Sequence, residues 1–134
     1  MTFRKIDTCI WKDPWFENLS PNEKLAFIYF WSNDYCNAAG IYEISKNRIN
    51  FDLGYGIDTV WIPLKKKIEW YEEQSTVWVK NFFKHQAQNY NFSLSAINSI
   101  RCDSFKLQIF IKHNLKLLER LDTQKKGYGI DMVS

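Results

Sequence analysis

Ser20-Pro21-Asn22-Glu23 constrains this chain more than any other short segment, because it fixes where a helix must begin. Ser20 offers a side-chain oxygen to the unsatisfied N–H groups of a first turn. Pro21 suits the first helical position, and Glu23 stands three residues on, where it closes a capping box. In the segment that follows, Leu25, Ile28, Tyr29 and Ser32 share one stripe at helical spacing and are expected to face inward. Asn33-Asp34 should end this helix, since their short polar side chains compete for backbone hydrogen bonds.

The next elements are short and equally well punctuated. Gly40 opens Ile41-Tyr42-Glu43-Ile44, which alternates as a half-buried strand does. Ser45 can cap a second helix reaching about Leu53, with Ile49 and Leu53 one turn apart, and Gly54-Tyr55-Gly56 reads as a tight turn. Asp58 can cap a third helix in which Ile57, Val60, Leu64 and Ile68 form a buried edge, although Pro63 removes one backbone bond from it. Residues 68–71 and 76–79 are β-prone runs around Glu72-Glu73-Gln74-Ser75, a hairpin with a polar tip. A helical turn from Asn81 to Gln86, a helix capped by Ser93 or Ser95 through about Arg101, and a long helix from Ser104 to about Leu121 complete the reading. The expected fold class is therefore mainly α with a small β-hairpin: a winged helix-turn-helix with additional C-terminal helices.

At 134 residues the chain has the length of one domain. The reading divides it into a winged helix-turn-helix at 1–90, C-terminal helices at 91–122 and the start of a linker at 123–134. The linker reading comes from a small repeat: Gly54-Tyr55-Gly56-Ile57-Asp58-Thr59-Val60 recurs as Gly127-Tyr128-Gly129-Ile130-Asp131-Met132-Val133. The second copy follows two lysines and has no element after it, so the chain is expected to be a piece of a longer protein.

Aromatic residues make up 17% of the chain, enough large apolar surface to exclude intrinsic disorder over most of its length. No apolar run is long enough to span a bilayer, and the N-terminus lacks the pattern of a secretory signal. Three cysteines, an odd number without a Cys-x-x-Cys pair, fit a reduced, cytoplasmic protein. Charge is distributed unevenly. Residues 1–90 carry eleven Lys/Arg against eleven Asp/Glu, so the net +3 arises entirely from residues 91–134, with seven against four. A nucleic-acid reading must then rest on local clusters rather than on net charge.

Three stretches resemble a known family: IDTCIWKDPWFENLSPNEKLAFIYFWSND, GIYEISKNRINFDLG and VWVKNFFKHQAQN. Together they look like the N-terminal domain of phage and prophage replication proteins, relatives of DnaD-like primosome and helicase-loading proteins. The likeness covers roughly residues 3–100, and the runs W-x-D-x-x-F-x-x-L-S-x-x-x-K-L and V-K-N-F-x-K-H-Q are its distinctive parts. The resemblance implies a winged helix that binds DNA, oligomerises, or does both. It also implies a separate C-terminal region that contacts DNA, or the replicative helicase or its loader. Trp61-Ile62-Pro63 departs from what a groove-reading helix would carry.

Candidate DNA-binding residues follow from position and charge. Lys65, Lys66 and Lys67 end the expected third helix, where three ammonium groups suit either phosphate contact or a solvated helix C-terminus. Thr59 and Ile62 face away from the buried edge, while Trp61 is expected to pack. Lys46, Arg48 and Asn50 lie on the second helix, and Lys80 and Lys84 follow the hairpin beside His85 and Gln86. These groups read as phosphate contacts or as exposed charge and capping. The acidic tip Glu72-Glu73 opposes insertion of a wing into a groove. On the long C-terminal helix, Leu107, Phe110, Ile111 and Leu118 belong to an apolar face wide enough for a homo-oligomer interface. No catalytic constellation, metal-ligand spacing or cofactor motif occurs, and the expectation is a binding module without enzyme activity. Two rivals share these features: a winged-helix transcriptional regulator, and a protein-interaction module that has lost DNA contact.

Overall fold

A computed structural model of the chain describes residues 2–86 and 89–127, with side chains through Leu121. It is mostly helical, with one three-stranded antiparallel sheet. The chain divides into two compact units: residues 1–36 with 40–81, and residues 37–39 with 82–134. The division expected at 90/91 thus falls at 81/82, and the helical turn after the hairpin goes with the C-terminal helices.

The first unit begins with two short capped helices that follow aspartates. Asp7 accepts a hydrogen bond from the Cys9 N–H at the start of a 3-10 helix, Thr8–Lys12. Asp13 accepts from Trp15 at the start of α1, Pro14–Glu17. α2, Pro21–Ser32, begins at the expected capping box: Ser20 Oγ accepts from Glu23 N at 3.3 Å, and Glu23 Oε1 accepts from Ser20 N at 2.9 Å. It ends at Asn33, whose side chain donates to the Tyr29 carbonyl.

The face that α2 buries differs from the expected stripe. Ala26, Phe27, Phe30 and Trp31 are buried, whereas Leu25 and Ser32 are exposed and Ile28 and Tyr29 are half-buried. The helix is apolar on nearly every side, so spacing alone could not choose between faces. The choice falls to the bulkier aromatics, which meet Phe16 and Trp15 of α1 edge-on at 5.8 and 5.2 Å from Phe27. Tyr29 stays at the margin because its hydroxyl donates to Asp52 at 2.7 Å.

β1, Ile41–Glu43, follows Gly40 in the left-handed region (φ 74°). α3, Lys46–Leu53, is capped by Ser45, which accepts from Arg48 N, and is closed by Gly54 at φ 80°, a conformation open to glycine at little steric cost. The expected third helix is broken. A 3-10 turn, Ile57–Thr59, is separated by Val60 (φ −106°, ψ −6°) from α4, Trp61–Leu64. Pro63 accounts for the break: lacking an N–H, it fits the first turn of a new helix but not the interior of a helix begun at residue 57. Asp58 caps nothing here, since the N-cap of the 3-10 turn is Gly56, without a side-chain bond. Ile57, Val60, Leu64 and Ile68 are nonetheless all buried, Ile68 as the first residue of a strand.

The hairpin forms as expected from β2, Ile68–Tyr71, and β3, Thr76–Val79, with Ile68 opposite Val79 and Tyr71 opposite Thr76. β1 lies on the other side of β3, with Ile41 opposite Trp78, giving the order β1-β3-β2. Val77 and Val79 turn inward with Ile41 and Ile68.

In the second unit, α5 is Phe82–Gln86, α6 is Tyr90–Ile100 and α7 is Ser104–Gly127. Asn89, not Ser93 or Ser95, caps α6 by accepting from Phe92 N, while Ser93 Oγ donates back to the Tyr90 carbonyl. α7 runs past Leu121 to Gly127, so residues 123–127 of the expected linker start are helical. Most of the second repeat copy, residues 128–134, lies outside the described residues.

Candidate nucleic-acid interface

The candidate DNA-binding residues separate by their electrostatic surroundings. Lys46, at the first turn of α3, bridges two carboxylates: its Nζ lies 2.9 Å from Asp58 and also meets Glu72 at the hairpin tip. These partners raise the pKa of Lys46, Glu72 more than Asp58, and both carboxyls are held below their usual range in return. Glu72 also accepts from the Trp70 indole N–H, and Asp58 from that of Trp61. One lysine therefore joins α3, the 3-10 turn and the hairpin tip. The acidity of that tip, read from the sequence as a bar to groove insertion, is partly spent on holding the hairpin.

Arg48 pairs with Asp52 one turn on, at 3.0 Å, and lies over the Phe51 ring. Asn50 is structural: its side-chain oxygen accepts from Ile57 N at 2.8 Å and closes the turn between α3 and the 3-10 segment. Lys67 is not at a helix end but in the turn after α4. It reaches Asp13 at 3.1 Å and covers the Trp15 ring at 5.0 Å, tying that turn to the N-terminal segment. The hydrogen bond from Lys67 is the main reason the Asp13 carboxyl titrates below its usual range. Lys80 faces Glu69 across the sheet at 3.5 Å and lies over Trp78.

Thr59, Ile62, Lys65 and Lys66 form a different set. All four are exposed along the segment whose other side buries Ile57, Val60 and Leu64. Ile62 retains 85% of its accessible surface. Lys65 and Lys66 have no carboxylate partner among the described residues. Behind them Trp61 packs as expected, stacked on Phe30 at 5.5 Å and on Trp70 at 5.1 Å. Lys84 is also exposed, but on α5 in the second unit, so the string from Lys80 to Gln86 is divided between units.

The expected oligomer face on α7 divides too. Phe110 is 1% exposed and meets Phe83 edge-on at 4.8 Å, which removes it from any surface open to a second copy. Leu107 and Leu118 are half-buried, and Ile111 and Leu115 are exposed. Asn114, a polar residue, occupies the buried line and donates to the Phe110 carbonyl. Leu121 is buried on the same side, and Lys112, Lys116 and Arg120 are left on the outer side. Their i, i+4, i+8 spacing is legible in the sequence, but only the burial of Phe110 and Asn114 shows that this face points outward.

Among the described residues the three cysteines are free thiols, and no group of three His, Cys, Asp or Glu is placed to hold a metal ion. No helix of the described residues is long and apolar enough to cross a membrane. No protein-family model, curated protein or solved structure matches the chain.

Proposed function

We propose that the first unit is a winged helix-turn-helix that holds nucleic acid by its backbone, in a protein of the replication-initiation kind its sequence resembles. The order α2, β1, α3, α4, β2, β3, with β1 and β2 flanking β3, supports the winged-helix reading. The observation that carries the binding is the exposed strip of Thr59, Ile62, Lys65 and Lys66, whose two lysines have no carboxylate partner among the described residues. α4 has four residues, too short to lie along a major groove and present several side chains to base edges. Binding through this strip is therefore phosphate contact without sequence readout, and the hairpin, tethered by Lys46, stays off the groove.

Anisotropy titration against duplex DNA at two salt concentrations tests this. The Lys65→Gln, Lys66→Gln variant loses two phosphate contacts, so the slope of log K against log salt falls by about 1.8. Wild-type protein with no salt-sensitive binding, or a variant with an unchanged slope, refutes it.

A second reading, a protein-contact module, is favoured by the pairing of Lys46, Arg48, Lys67 and Lys80 and by the exposed Ile62. Under it Ile62→Asp abolishes capture of a protein partner, while the lysine variant leaves capture intact.

A further inference from the structure

Charge is segregated between the two units. The first carries ten Lys/Arg against eleven Asp/Glu, a net of −1, and the second carries eight against four, a net of +4. Much of the second unit's charge lies on α7. Lys112, Lys116 and Arg120 stand at i, i+4 and i+8 on its exposed side, and none has a carboxylate partner among the described residues. Lys106, by contrast, is tied to Asp103 at 2.6 Å. Glu119 is the one acidic side chain on α7 through Leu121.

Four residues of helix rise about 6 Å and turn about 40° past a full circle, so the three cations follow a gently winding line roughly 12 Å long along the axis. Like charges in such a row repel one another and weaken the isolated helix slightly. An elongated polyanion with regularly spaced charges relieves that repulsion, and a single phosphate does not.

We propose that the outer face of α7 is a nucleic-acid contact in which Lys112, Lys116 and Arg120 hold successive phosphates of one strand. It is separate from the strip on the first unit and stands if that strip proves inert. An anionic membrane is the poorer match. The large apolar side chains exposed on the described part of α7, Ile111 at 39% and Leu115 at 49%, are only partly accessible, and Phe110 and Leu121 are buried. An interfacial helix needs a continuous apolar face to insert.

The test is anisotropy of the full chain with a labelled oligothymidylate strand, titrated with salt. The stripe variant Lys112→Gln, Lys116→Gln, Arg120→Gln is compared with a control of equal charge change, Lys5→Gln, Lys12→Gln, Arg101→Gln. Loss of three single-strand contacts lowers the salt slope by about 2 and the affinity in about 0.05 M salt on the order of a hundredfold. The control stays near wild type, as does the charge-retaining Lys112→Arg, Lys116→Arg, Arg120→Lys variant. Circular dichroism verifies that helix content is kept. Equal losses in stripe variant and control overturn the proposal, as does an unchanged slope, loss in the charge-retaining variant, or an effect confined to phosphatidylserine vesicles. The Lys65→Gln, Lys66→Gln variant in the same series reports on the first unit alone, so the two contacts fail independently.

Discussion

Phe110 gives the sharpest test of how the second unit is built, because the sequence assigns it to an oligomer interface and the structure to the interior. Its ring is 1% exposed and edge-on to Phe83 at 4.8 Å. Truncation to alanine removes about 2–3 kcal/mol of apolar transfer and about 0.5–1.5 kcal/mol of aromatic contact. With the cavity left behind, a total near 3–5 kcal/mol follows, in line with phenylalanine truncations in other cores. For a urea m-value of about 1.5 kcal/mol per molar, that lowers the unfolding midpoint by roughly 2–3 M. Phe110→Leu, which keeps most of the volume, costs about 1 kcal/mol. The assay is urea unfolding followed by far-ultraviolet circular dichroism, at protein concentrations a hundredfold apart on the order-of-magnitude scale that mass action requires. An intrachain core gives the same loss at both concentrations. A loss below about 1 kcal/mol, or one that vanishes at high concentration, places Phe110 at an interface and refutes the packing argument.

Two further outcomes follow from the first unit. Trp61→Ala removes two stacked partners and part of a half-buried ring, a loss of about 2–4 kcal/mol; Trp61→Phe recovers more than half, and a loss under about 1 kcal/mol in urea unfolding refutes the stack between Phe30 and Trp70. The lowered pKa of Asp13, caused first by the Lys67 hydrogen bond, means the pair stabilises the fold above the unfolded carboxyl value of about 4 and is lost as pH falls through the lower folded value. Asp13→Asn keeps the helix cap, so its urea midpoint should fall less steeply than wild type as pH drops below about 4; identical acid limbs would show that the pair contributes nothing.

The candidate site was less legible than the fold, and particular residues show why. Lys46, Lys67 and Lys80 look alike in sequence as cations near a helix or hairpin. Their fates depend on carboxylates far along the chain: Lys46 meets Glu72 26 positions away, and Lys67 meets Asp13 54 positions away. No local pattern encodes such pairings. Lys65 and Lys66, adjacent to Lys67, remain exposed because the turn after α4 directs only the third lysine toward the N-terminal segment.

The sequence by itself determined the features whose physics closes within a few residues. The Ser20–Glu23 capping box, the Ser45 cap, the Gly54 terminus and the hairpin around Glu72–Ser75 each depend on bonds or dihedrals between near neighbours. Tertiary structure alone decided which side of α2 is buried, because that helix is apolar nearly all round and only the aromatics of α1 distinguish its faces. It likewise decided that Phe110, Asn114 and Leu121 lie on the buried side of α7 while Ile111 and Leu115 stay exposed. Burial is a contest among the elements of each unit, and a helix with two apolar sides cannot settle that contest alone.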